Sequence, residues 1–93
     1  MKVKVNFMGT LAKYAGVDSA EIELRDGARY GDLLSELGKH YGGNFPRKCW
    51  DPDKCEFVRP ISAIGSTGDI EARDTPLSQN EEINFLIPIS GGR

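Results

Sequence analysis

Only one stretch of this 93-residue chain, Tyr30–Tyr41, spaces its apolar residues as a helix does, and that limits the fold more than any other feature. Tyr30, Leu33, Leu34, Leu37 and Tyr41 make a single stripe down one helical face. Asp32 in the first turn suits the helix dipole. Arg29 stands at the N-cap, where serine or threonine would serve better. Gly42-Gly43 ends the run. One amphipathic helix can cover only one face of a sheet.

Most of the remaining chain alternates apolar and polar residues, the period of a half-buried strand. The first strand is expected over Lys2–Met8, with Val3, Val5 and Phe7 inward, and the second over Ala20–Arg25, with Ala20, Ile22 and Leu24 inward. Gly9 and Gly16 bracket a short helical turn, and Asp26-Gly27 closes the second strand. Residues 44–57 hold Pro46, Pro52, Cys49, Cys55 and Trp50 and read as irregular, with Trp50 pinning them to the domain. A third strand is expected over Val58–Ile64, delayed or confined to an edge by Pro60. A turn at Gly65–Gly68, a short strand over Asp69–Arg73 and a tight turn at Asp74–Leu77 follow. The last strand runs from Glu82 to Ile89 with Ile83, Phe85 and Ile87 inward. This order predicts an α+β roll, a mixed four- to five-stranded sheet with the helix packed across one face. The first and last strands are the most apolar, so they belong side by side and parallel at the centre.

Hydrophobic residues make up 39% and charged residues 28%, the balance of one ordinary globular domain over residues 1–93. A net charge of −2 with no basic block argues against nucleic acid as a partner. The longest apolar run near the end, Phe85–Ile89, is far too short for a membrane span. Met1-Lys2-Val3-Lys4-Val5 reads as a strand rather than a signal peptide, which points to the cytoplasm and to cysteines kept as thiols. Cys49 and Cys55 lack the second pair of a zinc ribbon, so no metal is expected, and a disulfide across the loop is the alternative to free thiols. His40 lies near the helix C-terminus, where a dipole interaction is a better reading than a catalytic base. Nothing in the chain pairs a nucleophile with a base, so catalysis by this domain alone is not expected.

The end of the sequence carries the chemistry. Pro88-Ile89-Ser90-Gly91-Gly92-Arg93 hangs a glycine pair on a hydrophobic strand. An extended Gly-Gly has no Cβ and can thread a channel closed to other residues. A carboxyl delivered through such a channel can be adenylated and then displaced by a sulfur or amine nucleophile. On the sheet, Met8 and Leu86 alternate away from the core, and a contiguous apolar patch there marks a partner site.

In order and spacing, Val3-Lys4-Val5-Asn6-Phe7, Leu11 and Gly16, Gly31-Asp32-Leu33-Leu34, Asp74-Thr75-Pro76-Leu77 and Glu82–Gly92 resemble the MoaD/ThiS sulfur carriers. These are β-grasp, ubiquitin-like proteins that include the small subunit of molybdopterin synthase. The resemblance implies that Gly92 carries the reactive carboxyl and that Gly91 gives clearance in the partner's channel. It further implies docking through Met8, Leu86, Pro88, Ile89 and Ser90. A ubiquitin-activating-like adenylyltransferase would spend ATP on Gly92, a sulfur donor enzyme would supply the sulfur, and the synthase large subunit would receive it. No cofactor would bind the carrier itself. Sulfur donation to thiazole or sulfur amino-acid synthesis, conjugation of Gly92 to lysines as a modifier, and an idle glycine tail stay open.

The chain departs from the family pattern at four places. Arg93 follows the glycine pair, implying a peptidase that removes it. Asn80-Glu81-Glu82 replaces a Gly-Asp turn, Gly65-Ser66 replaces Asn-Gly, and residues 43–59 read as an irregular insertion ahead of a flexible tail at 89–93.

Overall fold

The computed structural model describes residues 1–87. Along them come β1 (Lys2–Phe7), the short helix α1 (Thr10–Ala15), β2 (Ser19–Glu23) and the main helix α2 (Tyr30–Tyr41). A 3₁₀ turn (Gly42–Asn44), β3 (Trp50–Asp51), β4 (Glu56–Phe57), β5 (Ser62–Gly65), β6 (Gly68–Ile70) and β7 (Glu81–Leu86) follow. The five-stranded sheet has the order β2-β1-β7-β5-β6, and β3 with β4 forms a separate ribbon. β1 pairs with β7 in parallel, while β1–β2, β5–β7 and β5–β6 are antiparallel. This is the β-grasp arrangement, with the first and last strands central.

The core lies between the sheet and α2. Val3, Val5, Ile83 and Phe85 from the two central strands are fully buried, and α2 sets Tyr30, Leu33, Leu34 and Leu37 against them. Leu11 of α1 closes one end of the same core. The start of α2 is better secured than Arg29 suggests, because the Asp32 carboxylate accepts the Arg29 backbone N–H at 2.8 Å. That acceptor satisfies a donor the helix leaves unpaired. Asn80 takes φ +65°, donates its N–H to the Lys2 carbonyl at 2.8 Å, and turns the chain into β7. Asparagine tolerates that left-handed conformation better than most residues.

Residues 44–57 are more ordered than their sequence suggests. The β3–β4 ribbon pairs Trp50 with Phe57 and Asp51 with Glu56. Trp50, 3% exposed, lies against α2 where Gly38 and Gly42 leave room. A Cβ on Gly38 would come within 3.1 Å of the indole and 2.8 Å of the Cys55 sulfur; one on Gly42 would come within 3.1 Å of the indole nitrogen. Phe45 and Phe57 pack on the same indole, with ring centroids 6.4 and 4.9 Å away. The glycines one helical turn apart are therefore a seat for tryptophan as well as the end of a helix.

Strand boundaries also move, with β1 ending at Phe7 rather than Met8 and β2 running over Ser19–Glu23 rather than Ala20–Arg25. β5 begins at Ser62, beyond Pro60; β6 ends at Ile70 rather than Arg73; and β7 ends at Leu86. Ile87, expected inward, is 39% exposed. The ladder explains this, since among the described residues the last pairs are Phe7 with Phe85 and Ser62 with Leu86, and none holds Ile87 in the inward alternation.

Candidate functional site

Because β1 and β7 run parallel in register, their C-terminal ends leave the sheet together. The Met8 N–H donates to the Phe85 carbonyl at 3.0 Å, which sets Met8 beside Leu86 on the face away from α2. Met8 is 49% exposed, whereas Leu86 is only partly exposed. The two expected docking residues are thus neighbours at the point where the chain runs on toward residue 88. Pro88, Ile89, Ser90, Gly91, Gly92 and Arg93 lie outside the described residues.

Below this apolar end, the same face carries a polar ladder that sequence reading missed. Asn6 stands beside Asn84, and Lys4 beside Glu82. The Asn6 amide donates to Glu82 Oε2 at 2.7 Å and to Asn84 Oδ1 at 2.8 Å. On the other side of β7, Ser62 faces Leu86 and Ile64 faces Asn84. The signal in the sequence is an asparagine at the outward position of each central strand. Beyond Met8 a shallow depression of about 930 Å³ runs past Gly9, Ala12 and Val17 of the α1 region, and Val17 is 40% exposed. Apolar surface next to satisfied polar groups suits protein contact better than enclosure of a small molecule.

The other singled-out side chains lie away from this end. His40 is exposed on α2, 3.6 Å from Glu36 Oε1 on the same helix. Cys49 is buried and Cys55 half-buried, both as free thiols. Their register opposes a disulfide: the Val58 N–H donates to the Cys49 carbonyl at 2.8 Å, so Cys55 lies three residues along the opposite strand. At about 3.3 Å per residue that offset is roughly 10 Å, beyond the ~7 Å Cα separation a disulfide can span. Instead the Cys55 thiol donates to the Leu34 carbonyl at 3.5 Å. Among the described residues, no cluster of three or more metal-ligating side chains occurs, and no helix is long and apolar enough to cross a membrane.

Comparison with known proteins agrees with this geometry. Residues 5–92 match the ThiS family, and the chain belongs to that family as a ubiquitin-like sulfur carrier of the ThiS/MoaD type. No curated protein sequence matches it. Among solved structures, SAMP1 from Haloferax volcanii superposes with a TM-score of 0.80 at 21% identity, covering 99% of this chain and 100% of that one. The Pyrococcus furiosus protein described as molybdopterin converting factor subunit 1 gives 0.73 at 27% identity, covering 96% and 99%. A complex of subunits 1 and 2 of molybdopterin-converting factor from Helicobacter pylori gives 0.64 at 22% identity, covering 99% and 100%.

Proposed function

We propose that this chain carries sulfur as a thiocarboxylate on Gly92 and delivers it in the cytoplasm as the small subunit of a molybdopterin synthase. The observation that carries this reading is the family match, which runs through Gly92 and leaves Arg93 outside it. A peptidase first frees the Gly92 carboxyl by hydrolysing the bond to Arg93. The carboxylate then attacks the α-phosphorus of ATP on an activating enzyme, pyrophosphate leaves, and an acyl adenylate forms. A persulfide on a donor enzyme attacks the acyl carbon and displaces AMP, giving an acyl disulfide; a second thiol then attacks the donor's sulfur, so that a disulfide forms on the donor side and the thiocarboxylate departs as the leaving group. The carrier supplies no acid or base; its part is to present the end of the chain. Gly91 keeps the chain narrow, Met8 and Leu86 dock on the partner, and Pro88, Ile89 and Ser90 line the entry to its channel.

Assignment to molybdopterin rather than thiazole or sulfur amino-acid synthesis is supported by the Pyrococcus furiosus likeness at 27% identity. The Helicobacter pylori complex of subunits 1 and 2 supports a second subunit of that kind as the partner. The test is reconstitution: thiocarboxylated chain is mixed with a molybdopterin synthase large subunit and the sulfur-free pterin precursor. Formation of the dithiolene product, with Gly92 returned to a carboxylate, is expected. Sulfur delivered only to a thiazole synthase would overturn the pathway, and ladders of lysine adducts on other proteins would replace the carrier with a modifier.

A further inference from the structure

Asn6 and Asn84 stand side by side on the two central strands, on the face away from α2, and both line the depression beside Met8. The oxygen and nitrogen ends of an amide have nearly the same shape, so the network around it decides which way each end faces. Here one group decides for the whole row. An ionised carboxylate can only accept, so Asn6 must turn its nitrogen toward Glu82 Oε2, 2.7 Å away. The other N–H of that nitrogen donates to Asn84 Oδ1 at 2.8 Å. With its oxygen held by Asn6, Asn84 turns its own nitrogen away from that neighbour.

The sheet offers this nitrogen no acceptor. The side chain next to it on β5 is Ile64, which has none. Leu86 and Glu82 flank it along β7 on the same face, and Glu82 is already engaged by Asn6. Among the described residues, the Asn84 side chain hydrogen-bonds only to Asn6. Asn84 is half-buried, so its N–H groups reach solvent in the free chain and lose it when the face is covered. A donor covered without an acceptor is costly, and so is an acceptor opposite it that loses the donor.

We propose that Asn84 is a specificity-determining residue of the docking face, where its Nδ2 donates to a neutral carbonyl oxygen of the partner protein. Glu82, acting through Asn6, is a positioning residue that keeps this donor outward. The inference rests on docking through Met8 and Leu86 and sharpens it. Apolar contact alone accepts many surfaces, whereas a pinned donor rejects any surface with no acceptor opposite it. A carbonyl suits the site better than a carboxylate, because Lys4 lies between Glu21 and Glu82 in the adjoining row, which is left net negative.

The test measures affinity for a molybdopterin synthase large subunit by isothermal titration calorimetry, with Tm recorded for every variant. Asn84→Leu enlarges the apolar patch, so contact through apolar surface alone would give equal or tighter binding. The expected result is binding about tenfold weaker in a folded chain, since the partner's oxygen is left covered and unpaired. Asn84→Asp keeps the acceptor for Asn6 but removes the donor, and should weaken binding at least as much. Glu82→Gln lets the amides turn over and should weaken binding severalfold in the parent but not in the Asn84→Leu background, a coupling that mere loss of a surface charge would not produce. In the isotopically labelled parent, the Asn84 side-chain amide protons should be protected from exchange with water once the complex forms. Equal or tighter binding of Asn84→Leu while Met8→Asp binds weakly would overturn this inference and leave the docking end standing. So would additive effects of Glu82→Gln and Asn84→Leu, or an Asn84 amide that still exchanges freely in the complex. No complex, or one indifferent to Met8→Asp as well, would overturn both.

Discussion

Replacing Trp50 with alanine should destabilise the whole domain, because the ribbon is part of the core rather than a loop laid over it. The indole is 3% exposed and is enclosed by Gly38 of α2, by Gly42 just past its end, and by Phe45 and Phe57. Truncating a buried tryptophan costs about 3–5 kcal/mol. A 93-residue domain has roughly 5–14 kcal/mol in total, so the loss is a large share. Its unfolding entropy is about 0.2 kcal/mol per degree, which converts the loss into a fall in Tm of roughly 15–25 °C. Differential scanning calorimetry of the two proteins measures this directly. Gly38→Ala is the matched control. Helix propensity alone favours alanine by about 1 kcal/mol, but the new Cβ would stand 2.8 Å from the Cys55 sulfur, so Tm should fall. A Trp50→Ala protein melting within about 5 °C of the parent, well short of that shift, would refute the seating of the ribbon. So would a Gly38→Ala protein that gains stability.

The docking end predicts that Met8→Asp leaves Tm unchanged but weakens binding to the activating enzyme or the synthase large subunit, since burying an unpaired carboxylate costs on the order of several kcal/mol. Leu86→Asp should do the same with some loss of Tm, because Leu86 is already half-buried; intact affinity in both variants would remove these residues from the interface. Cys49→Ser combined with Cys55→Ser should transfer sulfur at the parent rate once folded, because the sulfur rides on Gly92; an inactive, folded double variant would restore a role for the thiols. Glu81 is held below the usual carboxylate value of 4.5: burial acts to raise it, but donation from the Ser66 hydroxyl and from the Ser78 and Ser66 N–H groups outweighs burial. A lowered folded value stabilises above the unfolded value and is lost as pH falls through the folded one. Urea midpoints should therefore drop below about pH 4.5 in the parent and drop less in Glu81→Gln, and parallel acid limbs would show that Glu81 contributes nothing.

What could be read in advance follows from what each element needs. Helix α2 matched its expected bounds because all five stripe residues obey one period, and β1 with β7 was legible because both alternate strictly. The ribbon was not legible, since two-residue strands such as Trp50–Asp51 carry no periodicity. Its anchor depends on Gly38 and Gly42, which look like weak points of a helix until Trp50 is seen lying across them. The N-cap position at Arg29 was legible, but not the acceptor that secures it, because Asp32 reads in sequence only as a charge suited to the dipole. At the candidate site, Met8 and Leu86 were legible from strand alternation. The Asn6–Asn84 contact required the parallel register, which no local pattern encodes.

The central claim, that Gly92 is the sulfur-bearing end, is tested most directly by intact-mass spectrometry on two chains, one ending at Gly92 and one retaining Arg93. Each is incubated with activating enzyme, ATP and a sulfur donor. Arg93 would displace the reactive carbon by about 3.3 Å, too far for an attack that needs atoms roughly 3–3.5 Å apart. The chain ending at Gly92 should gain the mass of one oxygen-to-sulfur exchange, mapped by fragmentation to its terminal carboxyl, while the longer chain stays unchanged until a peptidase trims it. Equal modification of the longer chain with Arg93 intact, or no exchange at Gly92 in the shorter one, would contradict the account.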